Sequence, residues 1–218
     1  MRNLLLLLPL AACSSSMTPP SAPPGAVSPE EQAPVSKPAE PAGAESASAI
    51  FEGQIEFVSL KNGDSPVPGT IRGITGSSPA VLGDDGVTSL GGVVTIPLTA
   101  IDTALEIRDQ RVMDTFFHAQ ETPTASLELK QMKLPSSDAG GMWIDGTLQI
   151  GPFAQDVRGH FRGERQEDGS WSIESGEPMI VSISSLGMGE RLMALMTLCG
   201  HKSIDDSVEV RAKGIIRF

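Results

Sequence analysis

The stretch "SVEVRAKGIIRF", residues 207–218, decides the fold. Val208, Val210, Ala212, Gly214, Ile216 and Phe218 take every second position, with Glu209, Arg211, Lys213 and Arg217 between most of them. Side chains of a strand alternate between its two faces, so the spacing predicts a β-strand with one apolar and one charged face. Working outward, the same period recurs. "MWIDGTLQI" places Met142, Ile144, Gly146, Leu148 and Ile150 on one side, and "ASLELKQM" begins with Ala125, Leu127 and Leu129. "QDVRGHFRG" contributes Val157, Gly159 and Phe161; "SWSIESGEPMIVSIS" contributes Trp171 and Ile173, then Met179, Val181 and Ile183. Residues 54–60, 70–75 and 87–98 are the earlier candidates, and breaks such as "NGDSP", "GDDG", "SSDAGG" and "QEDGS" separate most strands. Eight or nine short strands with one apolar face predict a closed antiparallel barrel or a sandwich.

Two segments depart from this period. Residues 100–117, "AIDTALEIRDQRVMDTFF", space Ile101, Leu105, Val112 and Phe116 as one side of a helix or of two helical turns, with Asp102 and Thr103 placed to cap it. Residues 190–198 are expected to form a second helix, with Gly200 as its terminator. Here Leu192, Met193, Leu195, Met196, Leu198 and Cys199 cover too much of a short helix for one buried stripe, which suggests a lid over a barrel mouth. Met193, Met196 and the Cys199 thiol are expected to turn inward.

The N-terminus reads as an address. Arg2, a short apolar run and small residues lead to Cys13, the layout of a secretory signal peptide over residues 1–12. "LAAC", residues 10–13, resembles the bacterial lipobox, which implies that Cys13 is lipidated; several acyl chains anchor firmly where one binds only marginally. Ser14 stands where many inner-membrane lipoproteins have Asp, so the expected location is the outer membrane, facing the periplasm, in a Gram-negative cell. Residues 13–48 are rich in Pro, Ala, Ser, Gly and Glu, cannot bury enough apolar surface to offset ordering, and are expected to be a disordered linker. The remainder, residues 49–218, is expected to be one soluble domain.

A formal net charge of -11 argues against nucleic acid and against direct adhesion to anionic lipid headgroups. With Cys13 committed to lipid, Cys199 has no partner for an internal disulfide. The closing "GIIRF" resembles the last strand of an outer-membrane barrel, but charged outward faces elsewhere favour a barrel in water.

A resemblance emerges from "IDTALEIRDQRVMDTFFHAQETPTASLEL". Ile101-Asp102-Thr103, Arg108-Asp109, Phe116-Phe117 and Pro123 resemble the pattern of the YceI-like family, and Gly146, Leu148, Ile150 and Val157 fall at the offsets of a family hairpin. The resemblance spans about residues 50–218. Departures accompany it: the segment between Arg108 and Phe116 is one residue shorter, Arg111 replaces a common His, Thr122 a common Tyr, and Gly151-Pro152 a His-Gly turn. The family's opening Asp-x-x-His-Ser is absent near Phe51. The resemblance implies an all-β fold, an eight-stranded antiparallel lipocalin-like barrel with one or two short helices. It also implies a long isoprenoid in the interior, of polyprenyl or quinone type, with no catalytic residue and no further cofactor.

Leu127, Leu148, Val157, Phe161, Val181, Ile183, Val208 and Val210 are the expected interior, as core or as ligand contacts. Phe116 and Phe117 either plug one end or touch the ligand. Gly146, Gly159 and Gly214 share the inward face, either leaving room for a slender ligand or bending the strands. Asp102 capping and an Arg108 salt bridge are expected to be structural. Catalysis finds no support: His118, His160 and His201 lie near no Ser nucleophile motif and have no HxxxH spacing, and His160 is expected to face outward opposite Phe161. The Cys199-x-His201 pair would need at least a third ligand to hold a metal; a copper site would recruit Met193 or Met196. The leading expectation is a lipid-anchored carrier or sequestering protein for a long apolar molecule. The alternative is a structural or stress-related envelope lipoprotein whose barrel is filled by its own side chains.

Overall fold

A computed structural model describes residues 45–83, 86–132, 134 and 141–218 of the protein. The expected signal peptide, Cys13 and residues 14–44 of the linker lie outside the described residues, as do parts of the breaks at 84–85 and 135–140. Ten strands form: β1 (Glu45–Lys61), β2 (Ser65–Gly83), β3 (Gly86–Pro97), β4 (Ile101–Asp102), β5 (Thr124–Met132), β6 (Gly141–Ile150), β7 (Phe153–Arg165), β8 (Trp171–Ser175), β9 (Met179–Ser182) and β10 (Ile204–Arg217). β1 starts at Glu45, upstream of the expected domain boundary at residue 49.

The strands close into an eight-membered antiparallel ring. Its order is β1-β2-β3-β5-β6-β7-β8-β10, and β10 returns to β1. The two short strands extend positions already counted: β9 pairs β10 at Val208–Val210 where β8 pairs it at Lys213–Ile216, and β4 pairs β2 at Thr70 and Ile71 beside β3. Among the described residues the ring is loosest beside β7, where β8 pairs it only over Phe161–Arg165 and β9 pairs β10 alone, and the register shift on β1 between Gly53 and Ile55 bends the wall. Local chemistry sets the turns. Asn62 and Gly63, with φ of 54° and 90°, turn β1 into β2, and Gly151 at φ 57° with Pro152 turns β6 into β7.

The period read from residues 207–218 is realised along β10, where half-buried Val208, Val210, Ala212 and Gly214 alternate with exposed Glu209, Arg211, Lys213 and Ile215, ending at buried Ile216. Phe218 breaks the expectation: the strand ends at Arg217, and Phe218, outside the ladder, is exposed. Outward carboxylates pair across strands, Glu56 with Lys213 and Glu52 with Arg217, both at 2.6 Å. Among the described residues no helix is long and apolar enough to cross a membrane.

The first non-β segment is less helical than expected. Residues 98–100 form a 3-10 turn, β4 follows, and the helix proper, α1, runs only over Glu106–Arg111 before a π-helical segment, Val112–Phe117. Asp102 does not cap it. Its Oδ1 accepts the Ala104 N–H at 2.9 Å, steadying Ala104 at φ 61°, and Leu105 occupies the cap position. Nor does Arg108 form a salt bridge among the described residues: its Nε donates to Thr103 Oγ1 at 2.7 Å and its Nη2 to the Thr103 carbonyl at 2.5 Å. The buried, β-branched Thr103 thus draws the polar groups of α1 inward, and Asp109 accepts both its N–H and its hydroxyl. The second helix, α2 (Gly189–Cys199), ends as expected at Gly200, whose φ of 66° suits glycine.

Buried side chains gather at both ends of the barrel. One cluster includes Ile71, Ile96, Leu98, Ile101, Phe117, Ile150, Leu186 and Met188; the other includes Ala49, Met142, Ile144, Phe161, Trp171, Ile173 and Ile216. β6 runs from the second cluster at Met142 to the first at Ile150. The inward glycines do not stand open. A Cβ on Gly214 would lie 2.5 Å from Phe51 Cε2, on Gly159 2.7 Å from Phe161 Cε2, and on Gly146 2.8 Å from Leu127 Cδ1. Each glycine lets a neighbouring large side chain lie flat on the wall.

Candidate functional site

The interior is hollow, and residues of the two clusters form much of its wall. β1 supplies Ile55, Phe57, Ser59 and Lys61 at every second position, β10 supplies Ile204, Val208 and Val210, and β6 supplies Leu148 and Ile150. Val181, Ile183 and Leu186 continue the wall after β8, and Ile71, Ile96 and Ala125 close the far side. The cavity they enclose with the helical segments has a volume of ≈ 250 Å³. A second chamber of ≈ 120 Å³ lies toward the other cluster, walled by Phe51, Ile74, Val94, Leu129, Ile144 and Met179 among others. Ile55 and Ile96 border both, so the chambers stand in tandem along the barrel. Together they fall within the roughly 300–1,000 Å³ usual for ligand pockets.

One mouth is covered by α2 and the π-helical segment. Leu192, Leu195 and Cys199, spaced i, i+3 and i+7, form the stripe of α2 that lines the larger cavity, facing Val112, Phe116 and Phe117. The two phenylalanine rings meet edge to face, 5.1 Å apart at 60°. Arg191 fastens the cover: its Nη1 donates to the carbonyls of Phe116 at 3.3 Å and Phe117 at 3.0 Å, and its guanidinium lies 4.9 Å from the Phe153 ring centre. On the other side, Asp206 of β10 accepts the Ser182 hydroxyl at 2.6 Å, the Ser184 N–H at 2.7 Å and the Ser184 hydroxyl, holding the loop that leads into α2. These serines, Ser182 first, keep the Asp206 carboxyl below its ordinary range. Met188, completely buried, roots the start of α2.

The expected interior residues divide between the chambers. Phe116, Phe117, Leu148, Val181, Ile183, Val208 and Val210 line the larger, while Leu127, Val157 and Phe161 line the smaller. Met193 and Met196 line neither, which corrects the expected inward thioethers: the helical stripe of Leu192, Leu195 and Cys199 takes the inward face, and Met193 is 64% exposed. Cys199 and His201 both line the larger cavity, and Arg111 Nη1 stands 3.9 Å from the Cys199 sulfur. His160 takes the outer face, half-buried against Trp143 at 5.1 Å, with Arg158 4.6 Å from the Trp143 ring centre.

Sequence reasoning missed the β1 wall and the polar rim formed by Ser59, Lys61, Thr103, Arg108 and His201. The signal for the first was present, since Ile55, Phe57, Ser59 and Lys61 keep the strand period to the hairpin. The second depends on α1, α2 and β1 meeting at one mouth, which no local pattern encodes.

The fold has close structural relatives. A polyisoprenoid binding domain from Saccharophagus degradans implicated in plant cell wall breakdown superposes with a TM-score of 0.63 at 13% identity, covering 78% of this chain and 97% of that one. BcnA of Burkholderia cenocepacia superposes with a TM-score of 0.57 at 14% identity, covering 75% of this chain and 95% of that one. No curated protein matches the chain by sequence. Residues 46–214 match the model of the YceI-like domain, which takes in both helices and all of the ring but its extreme ends; the chain belongs to the YceI-like family.

Proposed function

We propose that the protein carries or sequesters an isoprenoid or similarly long apolar molecule inside its barrel, held to the envelope by lipid on Cys13 and tethered by the linker in the periplasm. The tandem hollow supports this reading most: a long, narrow, almost wholly apolar interior under a helical cover suits a chain-like ligand. A side-chain-filled barrel would have closed that space, because interiors pack to crystal-like density. The relative from Saccharophagus degradans, a polyisoprenoid binding domain, has the same fold. The task is binding rather than catalysis; the apolar lining offers dispersion contacts and exclusion of water. Solvent extraction of the purified chain followed by mass spectrometry tests the reading. Recovery of a long-chain apolar molecule in near-equimolar amount is the expected result, and a ligand-free chain that also takes up no added isoprenoid would refute it.

A further inference from the structure

The chain carries 27 acidic side chains against 16 Lys and Arg, yet among the described residues no carboxylate lines either chamber. The ionisable groups that do line the hollow are Lys61, Arg108, His201 and the Cys199 thiol, all on the larger chamber. Their placement is graded. Along β1 the wall passes from Ile55 and Phe57 through Ser59 to Lys61 at the hairpin, and along α2 from Leu192 and Leu195 to Cys199, then to His201 just past the helix end. Both gradients end in one corner: Lys61 pairs with Ile204, the Asn62 N–H donates to the Ser203 carbonyl at 2.9 Å, and the Lys202 N–H donates to Asn62 Oδ1 at 2.9 Å. His201 is fixed there by its own N–H to the Met196 carbonyl at 3.1 Å.

Arg108 reaches the same chamber from α1. Thr103 occupies its Nε and Nη2 and leaves Nη1 without a protein acceptor among the described residues. Asp109, next in sequence, is turned onto Thr103 instead. Lys61, Arg108 and His201 form no ion pair among the described residues, although the outward-facing Lys213 and Arg217 both do. Lys61 and Arg108 thus stand without a direct ion pair at the mouth of an apolar hollow, with His201 beside Lys61 as a further donor, and the nearby Asp109 carboxylate is engaged by the Thr103 hydroxyl and N–H.

We propose that this rim is a headgroup subsite and that the ligand is an anionic amphiphile: a long apolar chain in the tandem chambers ending in a carboxylate or phosphate held by Lys61, Arg108 and His201. The inference rests on the carrier reading above and adds the chemistry of the ligand's polar end. Charge-assisted hydrogen bonds to such a group are the stronger class, and the apolar wall behind them excludes competing water.

Farnesol, farnesoic acid and farnesyl monophosphate share one chain and differ in the head. Titrated against the full-length chain by calorimetry at neutral pH, the two anions bind about tenfold or more tighter than the alcohol if charged hydrogen bonds form. Lys61→Met removes most of that preference and is rescued by Lys61→Arg, with the thermal melt of each variant as the check on folding. Inorganic phosphate alone shows no comparable affinity, because the chain supplies most of the binding. Equal affinity for all three probes, an equal loss for all three in Lys61→Met, or phosphate binding as tightly as the farnesyl ester would each overturn the headgroup subsite while leaving the carrier intact. If none of the three binds, the carrier reading falls and the subsite with it.

Discussion

At the scale of single residues, two neighbours on α2 separate interior from surface. Leu195 is buried against the larger chamber, and Met193, two positions earlier, is largely exposed. Leu195→Asp is therefore expected to strip bound lipid, because it sets a charge on an apolar wall. Met193→Asp should leave lipid content unchanged and shift stability within about 0.5 kcal/mol, and Met196→Asp, at a half-buried position outside both chambers, should leave lipid content unchanged. Mass spectrometry of extracts and thermal melts of the three variants check this, and lipid loss in Met193→Asp would contradict the observed stripe. A second residue-scale test lies on the wall. Gly214→Val would drive a side chain into the Glu52 carbonyl and the Phe51 ring, both 2.5 Å from an added Cβ, and is expected to cost about 1–3 kcal/mol by chemical denaturation. Residue pattern alone could not make either distinction: six apolar side chains wrap α2, and an inward glycine looks the same whether it leaves a void or receives a ring.

At the scale of elements, strands were far more legible than helices. Alternation marks β5, β6, β7, β8 and β10, because each has one face on the interior and one in water, the situation in which a period of two is enforced, whereas only parts of β1 and β2 are legible as strand. The segment 100–117 was read as more helical than it is, because Ile101 and Val112 share a face in either arrangement. What broke the helix was tertiary: β4 pairs with β2, and Thr103 is buried where a cap would have been exposed. The cover depends on Asp206 in the same tertiary way. Its carboxyl has a lowered pKa in the folded chain, held down by the Ser182 hydroxyl first and that of Ser184 next, so on acidification the unfolded chain takes up the proton first. Its contribution is complete well above the ordinary value of 3.8 and is lost as pH falls below that through the folded value. Asp206→Ala is accordingly expected to lose about 1–2 kcal/mol at pH 7, and the gap from the native chain should narrow in acid. Melts at pH 7 and pH 3 decide it, and a gap that widens toward pH 3 would contradict the anchor.

At the scale of the whole molecule, the strand period alone leaves a barrel or a sandwich, the family resemblance points to the closed ring, and neither shows the hollow. Val181, Val208 and Leu148 read as interior, but whether such side chains meet across a small barrel or stand apart depends on strand tilt and shear. Ala125, on β5, is buried and faces the larger chamber, so Ala125→Trp adds an indole to the space assigned to the ligand. Native mass spectrometry of the freshly purified chain beside Ala125→Trp tests the central claim most directly. The account predicts a one-to-one adduct of a long-chain apolar molecule on the native chain and its loss from a variant that still melts cooperatively. The same adduct on both proteins, or on neither after isoprenoid is added, would contradict a ligand carried in the barrel.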